Sequence, residues 1–587
     1  MRKLHKRIVS IFLCSLFLLM TFLACACGEN SSSDTSSDDE TANTSTDSAN
    51  TSTNTSTNTD SSASNTSTDT GGSSSTNTST DTSESQKPAL SIDELNKRDE
   101  VMSILDNDYL SRSEVVYENI NGKDVTVYTS IREKNESQNN PNFAQFKMVW
   151  QALKYKDKYP EKEVHITLTS YRLSGYLAAC LDKSREEYGD LKCLMETDHD
   201  EETGYYRLNY LLCEAARKGI YVTVIGHNVA GSVRMEAGGK KIKDLPFYEY
   251  YNEHLNDPCY IEGKVISDYM VMQYSQWTLD KGGTDMMHLK SCTVSNYIDD
   301  DGNDRGTAVW LGCTNVDGVD YQGYNGLNCL QTGAVIRDHD EIYRVTYNFT
   351  QLMAQYDEQE EILVFRRLAQ KRTTEQIDLI MAGRGDEIPK NEQIVYIGSE
   401  SDKVFELYFT PLGGEACVWD PVYNPYCKYI TKFANSPKDA GYIEFLMNNP
   451  RFGDKGFSIA TIMLDLLYEK YTENASDENI LYLQAPGPDY GVFYKLFEGK
   501  TIGVRSINQY TSKSYHSKDI QMSYVEDDTR YYVTLFNSLN FHEGAMFYQT
   551  NSVLVIKETE ETGNDFYMDY AIMTVSGIEF ESHRYKK

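Results

Sequence analysis

Beyond residue 90 the apolar positions alternate between two periods. Residues 143–155 carry apolar side chains at helical spacing, and residues 91–110 show a weaker version of it. Val164-His-Ile-Thr-Leu-Thr169 alternates and is rich in β-branched residues, which predicts a strand. Residues 206–218 return to helical spacing and stop at Gly219, a residue suited to the left-handed backbone of a helix end. Residues 220–225 follow as a second strand. Helix, glycine and apolar strand in that order predict an α/β layer with a mainly parallel sheet. Residues 351–381 read as a long charged helix joining two halves. The pattern then resumes, with strands at 404–409, 480–483 and 501–504 and a helix at 459–471.

The first 90 residues are different. Arg2, Lys3, Lys6 and Arg7 precede an apolar run over residues 8–23, about the length of a signal-peptide core and short for a membrane span. The run ends in Leu23-Ala24-Cys25-Ala26-Cys27-Gly28, small residues before a cysteine, as in a bacterial lipobox. Cys27, with alanine at −3 and −1, is the favoured lipidation site and Cys25 the alternative; an uncleaved signal anchor is the competing reading. Either way the bulk of the chain is expected outside the cytoplasm, anchored to the cell membrane. Residues 31–86 are almost only Ser, Thr, Asn and Asp, and no basic residue falls between Arg7 and Lys87. Such a segment buries too little apolar surface to offset its ordering entropy and is expected to be a disordered tether. The expected division is 1–27 signal peptide, 28–89 linker, 90–345 first half, and 346–587 connecting helix and second half.

The net charge of −32 lowers the expectation of a nucleic-acid partner. The 12 cysteines form no C-x-x-C pair, so no metal site and no cofactor are implied. Cys417 and Cys427 are spaced for a small disulfide loop, with two separate thiols as the alternative. Asp198-His199-Asp200-Glu201-Glu202 reads as a solvated acidic loop. Asp299 to Asp304 resembles a calcium loop but lacks the glutamate an EF-hand needs at its twelfth position, and reads as a hairpin tip.

Two stretches carry candidate chemistry. Met287-His288-Leu289-Lys290 is followed by a polar insert, a strand at 307–311, and Gly312-Cys313-Thr314-Asn315. Tyr515-His516-Ser517-Lys518 is followed by a polar insert, a strand at 531–536, and Asn537-Ser538-Leu539-Asn540. A further strand follows each, Leu330-Gln-Thr-Gly-Ala-Val-Ile336 and Tyr548-Gln-Thr-Asn-Ser-Val-Leu554, which makes an internal repeat. On a strand, residues i and i+2 share a face, so His and Lys of each H-x-K project together. If the halves pack with pseudo-twofold symmetry, two His, two Lys and two Asn converge. Lysines and asparagines suit the non-bridging oxygens of a phosphodiester. One imidazole suits attack on phosphorus, and the other, protonated, suits donation to the leaving oxygen.

These segments resemble the phospholipase D superfamily, whose members share H-x-K-x4-D followed by a G-S-x-N-like turn. The resemblance runs from about Asn140 to Ile556. It implies two similar, pseudo-twofold-related α/β halves, an active site between them, and a phosphohistidine intermediate. Its functional residues map onto His288, Lys290, Asn315, His516, Lys518 and Asn540. The family's Asp position holds Ser295 and Ser523, Gly312-Cys313 and Asn537-Ser538 replace Gly-Ser, and Asn551 stands about where an acidic residue follows the second motif. Tyr321, Tyr324 and Tyr548 are candidates to line a headgroup pocket. The expected activity is a phospholipase D-like phosphodiesterase acting on phospholipid or cell-envelope diesters, with no obligate protein partner. The alternatives are an extracellular nuclease of the same chemistry and a non-catalytic binding lipoprotein with a relic site.

Overall fold

The structure is a computed structural model. It describes residues 114–120, 123–129, 141–173, 177–181, 191–193, 199–200, 204–227, 245–275, 286–316, 329–354, 363–398, 405–410, 424–437, 442–447, 482–485, 502–507, 514–515, 517–541, 545–546, 549–559, 563, 566–567 and 580–585. All of them lie in the second of two units, Asp81–Lys587. The lipobox cysteines, the tether and the expected helices at 91–110 and 459–471 lie outside the described residues.

The first half contains β1 (Glu114–Ile120), β2 (Lys123–Thr129), α1 (Pro141–Lys158), β3 (His165–Ser170), α2 (Leu208–Arg217), β4 (Tyr221–His227), α3 (Leu245–His254), β5 (Met270–Ser275), β6 (Met286–Met287), β7 (Ser291–Val294), β8 (Tyr297–Ile298), β9 (Asp304–Arg305), β10 (Ala308–Gly312), β11 (Cys329–Leu330), β12 (Thr332–Arg337) and α4 (Asp340–Ala354). The second contains α5 (Leu363–Met381), β13 (Tyr396–Ile397), β14 (Phe405–Thr410), α6 (Pro425–Asn435), β15 (Tyr442–Met447), β16 (Tyr482–Ala485), β17 (Ile502–Ile507), β18 (Ser514–Tyr515), β19 (Lys518–Glu526), β20 (Thr529–Asn537), β21 (Gln549–Thr559) and β22 (Phe580–Tyr585).

One sheet runs β1-β2-β12-β10-β7-β3-β4-β5 and the other β13-β14-β21-β20-β19-β15-β16-β17-β22. The orders superimpose strand for strand, β2 on β14 through β5 on β17. Each half also lends a short strand to the other. Met286 and Met287 pair in parallel with Gln549 and Thr550. Ser514 and Tyr515 pair in parallel with Cys329 and Leu330. This reciprocal exchange is what a pseudo-twofold axis between the halves requires.

The expected two-half α/β architecture is present, but the sheets are not mainly parallel. Apart from the short exchanged strands, parallel pairing is confined to β3-β4-β5 and to β15-β16-β17. The remaining neighbours in both sheets are antiparallel. Connection length is the reason. A parallel pair needs a crossover, which α2 supplies between β3 and β4, whereas tight turns join only antiparallel strands. Asp527 and Asp528, at φ 50° and 62°, form such a turn between β19 and β20. The described parts of the expected helix at 351–381 are the end of α4 and all of α5, residues 355–362 lie outside the described residues, and position 345/346 falls inside α4.

Burial follows the two periods. On β10, Ala308 and Trp310 join a core with α1 and α2, while Val309 and Leu311 join a second core with α4 and the other sheet. A sheet covered on both faces accounts for the near-continuous apolar run Ala-Val-Trp-Leu. On α2, Leu208, Leu211, Leu212, Ala215 and Ala216 are buried on one stripe, and Gly219 ends the turn at φ 80°. On the second core, Phe349 of α4 stacks on Phe409 of β14 at 4.3 Å, so α4 packs against both halves.

The Asp299–Asp304 segment is a hairpin tip. Asp299 accepts the backbone N–H of Asp301 and Asn303 within the tip, while Asp300 pairs with Lys147 and Gln151 of α1 and Asp304 with Lys158 of α1. His199 is exposed and stacks on Tyr210 at 4.3 Å, while Asp198, Glu201 and Glu202 lie outside the described residues. Cys427 is buried on α6, and Cys417 lies outside the described residues.

Candidate active site

The register places the motif residues at one end of both sheets. Thr169 of β3 lies opposite Ser291, Ser291 opposite Leu311, and Leu311 opposite Ala334. Residues at or just past the ends of β3, β4 and β10, and just before the starts of β7 and β12, therefore share one edge. These are Tyr171, His227, Asn315, His288–Lys290 and Gln331. In the second sheet the same edge carries Ser517–Lys518, Ser538–Asn540 and Asn551. Open α/β sheets place ligands beyond the carboxyl ends of their parallel strands, which is this edge.

His288 and Lys290 are not on one strand, as the spacing suggested. The chain changes partners there: β6 pairs with β21 of the other half, and β7 with β3 and β10 of its own. Residues 288–290 form the link. His288 N–H donates to the Thr550 carbonyl at 3.1 Å, and Lys290 Nζ donates back to the His288 carbonyl at 2.9 Å. Lys290 is wholly buried and its ammonium lies 5.6 Å from the centroid of Tyr171.

His288 Nδ1 is 2.8 Å from Asn551 Oδ1, a bond between the halves. The amide orientation follows from its other partners. Asn551 Nδ2 lies 3.1 Å from Thr410 Oγ1 and 3.3 Å from the Ala545 carbonyl, which can only accept. Nδ2 is thus the nitrogen, and Oδ1, which also accepts from Ser538 Oγ at 3.4 Å, faces the imidazole. His288 then carries its proton on Nδ1, and the neutral ring has its lone pair on Nε2.

The second motif is organised by a residue the sequence reading missed. Asp519 is fully buried beside Lys518. Its Oδ2 accepts from Ser517 Oγ at 2.7 Å and from Thr332 Oγ1, in the first half, at 2.5 Å; its Oδ1 accepts from Asn537 N–H at 3.0 Å. Asn537 Nδ2 donates to the Lys518 carbonyl at 2.9 Å. In the first sheet the equivalent position is Ser291, which meets Thr169 Oγ1 at 2.9 Å. Lys518 is buried. Burial pushes the Cys313 thiol up to about 11, against the lowering effect of the Lys518 ammonium from the other half. His516 lies outside the described residues, as do Tyr321, Tyr324 and Tyr548.

Asn315 is buried, and the next residue, Val316, donates its N–H to Ser170 Oγ at 3.1 Å. Asn540 is half-buried at the matching place after β20. Cys313, in place of a serine, and Ser538 do the same work: Cys313 Sγ receives Thr332 N–H at 3.1 Å and Ser538 Oγ receives Ser552 N–H at 3.0 Å. These bonds correct the repeat. Thr332 matches Ser552, so Gln331, not Gly333, is the counterpart of Asn551; the sequence alignment of that strand was two residues out of step. Ser295, at the family's Asp position, accepts His165 N–H at 2.9 Å and closes the end of β7.

Two matched α/β halves thus bring His288, Lys290 and Lys518 to the same edge. No protein-family model and no curated protein matches the chain. Among solved structures it is similar to phosphatidylserine synthase of Haemophilus influenzae Rd KW20, with 10% identity, 84% of this chain and 92% of that chain covered, and a TM-score of 0.44. It is also similar to a mutant of yeast tyrosyl-DNA phosphodiesterase, with 9% identity, 68% and 84% covered, and a TM-score of 0.29.

Proposed function

We propose that the chain is a phosphodiesterase of phospholipase D type, acting on phospholipid or cell-envelope diesters from a lipid-anchored position outside the cytoplasm. The observation that carries this reading is the His288–Asn551 bond across the halves, with the Lys290 ammonium bonded to the His288 carbonyl. In this mechanism His288 Nε2 attacks phosphorus as the bond to the leaving oxygen breaks. His516 gives its proton to that oxygen. Lys290, Lys518, Asn315 and Asn540 hold the non-bridging oxygens and stabilise the extra charge of the transition state. Water then attacks the phosphohistidine, returning its proton to His516 and freeing His288. The two imidazoles need opposite protonation states at the start, and the Nδ1–H tautomer of His288 suits the nucleophile.

The anchor rests on Cys27, with Cys25 as alternative, and on the low-complexity tether after it. The acidic balance of the chain favours a lipid or envelope substrate over nucleic acid. The test is hydrolysis of phosphatidylcholine, phosphatidylglycerol, bis-(p-nitrophenyl) phosphate and single-stranded DNA by the purified protein in EDTA. Turnover lost in both H288A and H516A supports the two-histidine reaction. Preference for DNA selects the nuclease reading, and no turnover on any diester by folded protein selects the binding-protein reading.

A further inference from the structure

We infer that His227 is a third histidine of the site, a positioning residue that fixes His288 and Lys290 for the reaction proposed above, on which its kinetic role rests. His227 ends β4 and is 3% exposed. Its Nδ1 lies 3.2 Å from the backbone N–H of Met287, the residue before His288. An N–H can only donate, so Nδ1 accepts, and the neutral ring carries its proton on Nε2. The Met287–His288 segment is therefore gripped from two sides. On one, His288 N–H is bound by the Thr550 carbonyl of the second half; on the other, Met287 N–H is bound by the His227 ring of the first.

The ring does a second thing. It stacks on Tyr171, with centroids 4.9 Å apart and planes 25° apart. Tyr171 in turn contacts the His288 ring at 5.4 Å, and the Lys290 ammonium lies 5.6 Å from its centroid. His227 thus backs the aromatic surface that both motif side chains rest on. A backbone clamp and a side-chain floor from one residue set both where the nucleophile begins and how its ring is turned.

The second half has no equivalent by register. Thr169 and Leu446 lie opposite Ser291 and Asp519, and Ile225 and Gln484 lie opposite Thr169 and Leu446. Gly226 therefore matches Ala485, and the residue after Ala485 in the chain is Pro486, whose side chain neither donates nor accepts. Among the described residues the device serves the first H-x-K, the one whose tautomer suits attack.

Three substitutions test this. H227F keeps a stacking ring and loses the acceptor; H227N places an amide oxygen near Nδ1; H227Q places its amide near Nε2. With the wild-type diester substrate, H227F and H227Q are expected to lose about 10–100-fold in kcat with KM within about threefold, since a misplacement of about 1 Å costs on that order. H227N is expected to recover at least about tenfold of that loss. Side-chain ¹⁵N–¹H spectra of the histidines give a readout without turnover: the His288 tautomer and titration should shift in H227F and return in H227N. Equal loss in H227N and H227F, or an unshifted His288 signal in H227F, overturns the positioning role. Retained activity in H227Q with loss in H227N does so as well, by pointing to Nε2 contact with substrate. Wild-type protein inactive on all diesters refutes the proposed reaction, while the spectra still decide whether His227 sets His288.

Discussion

Replacing Asp519 separates a carboxylate that joins the halves from one merely enclosed by them. Its three donors come from three places: Ser517 beside Lys518, the end of β20 at Asn537, and Thr332 in the first half. Asp519→Ala removes both acceptor oxygens and all three bonds at once. The two hydroxyls can rotate to other partners, but Asn537 N–H is fixed by the strand and is left buried and unpaired. One orphaned donor costs about 1–3 kcal/mol. The two hydroxyls also lose a charged acceptor, and a hydrogen bond to a charged group contributes about 1.5–3 kcal/mol. The alanine variant should therefore lose about 3–5 kcal/mol. Asp519→Asn keeps an oxygen for Asn537 N–H and offers its amide to hydroxyls that can accept, so its loss should be about 1–3 kcal/mol. The assay is the shift in urea midpoint, read by tryptophan fluorescence, with Trp310 buried in the first half as a reporter. An alanine variant within about 1 kcal/mol of wild type, or an asparagine variant as unstable as alanine, refutes the account.

Three other predictions follow from single contacts. Asn551→Asp puts a carboxylate on the His288 Nδ1–H, favours the imidazolium, and should move the acid limb of the kcat/KM profile up by about one pH unit, while Asn551→Leu should lower kcat by about 10–100-fold at all pH values. Burial pushes the Glu406 carboxyl up, but Lys428 at 2.7 Å and the charge of Lys557 more than offset this, leaving it below its ordinary value of 4.5. Its stabilising contribution is thus present above the usual carboxylate range and is lost as pH falls through the lowered folded value, so Lys428→Met should cost about 3 kcal/mol at pH 7 and progressively less in acid, by urea titration at several pH values. A Cβ on Gly312 would stand 2.6 Å from the Thr332 carbonyl and 2.7 Å from Gly333 Cα, both backbone, so Gly312→Ala should destabilise by about 1–3 kcal/mol and lower the melting midpoint measurably.

Much of this was readable from periodicity and spacing. Residues 164–169 and 220–225 read as strands because their apolar and β-branched side chains alternate, and they are β3 and β4 within a residue or two. Two H-x-K segments with matching downstream turns announced two halves. Strand direction was less legible, because the β7 and β19 hairpins and the crossovers through helices leave similar apolar runs. Register on β12 and β21 was also lost: Gln-Thr recurs in both, and identity pulled the alignment two residues off, where only the bonds of Cys313 and Ser538 to the next strand set it right. Asp519 was overlooked because the family pattern directs attention four residues further on, to Ser523. His227 lies far from either motif in the chain, and a lone histidine at a strand end gives no sequence sign of the backbone group it will meet.

The departures from symmetry bear on how two similar motifs divide one reaction. The first H-x-K is backed by His227 and Tyr171 and has a neutral hydroxyl, Ser291, directly after its lysine. The second has the buried carboxylate Asp519 at that place and, among the described residues, no counterpart of His227. A carboxylate favours cations near it, so Asp519 makes the second half's share of this edge the better home for positive charge. The first, with only a neutral amide on its imidazole, better keeps that ring unprotonated for attack. The two halves began from one pattern of strands, and the side chains at Ser291/Asp519 and at His227 give them different electrostatic settings. If that division is right, Ser291→Asp should reduce the contrast between the halves, slowing attack by favouring protonated His288 while leaving the fold of the second motif unchanged. A kcat unaffected at pH 7 in folded S291D protein would show that the carboxylate at Asp519 serves only to join the halves.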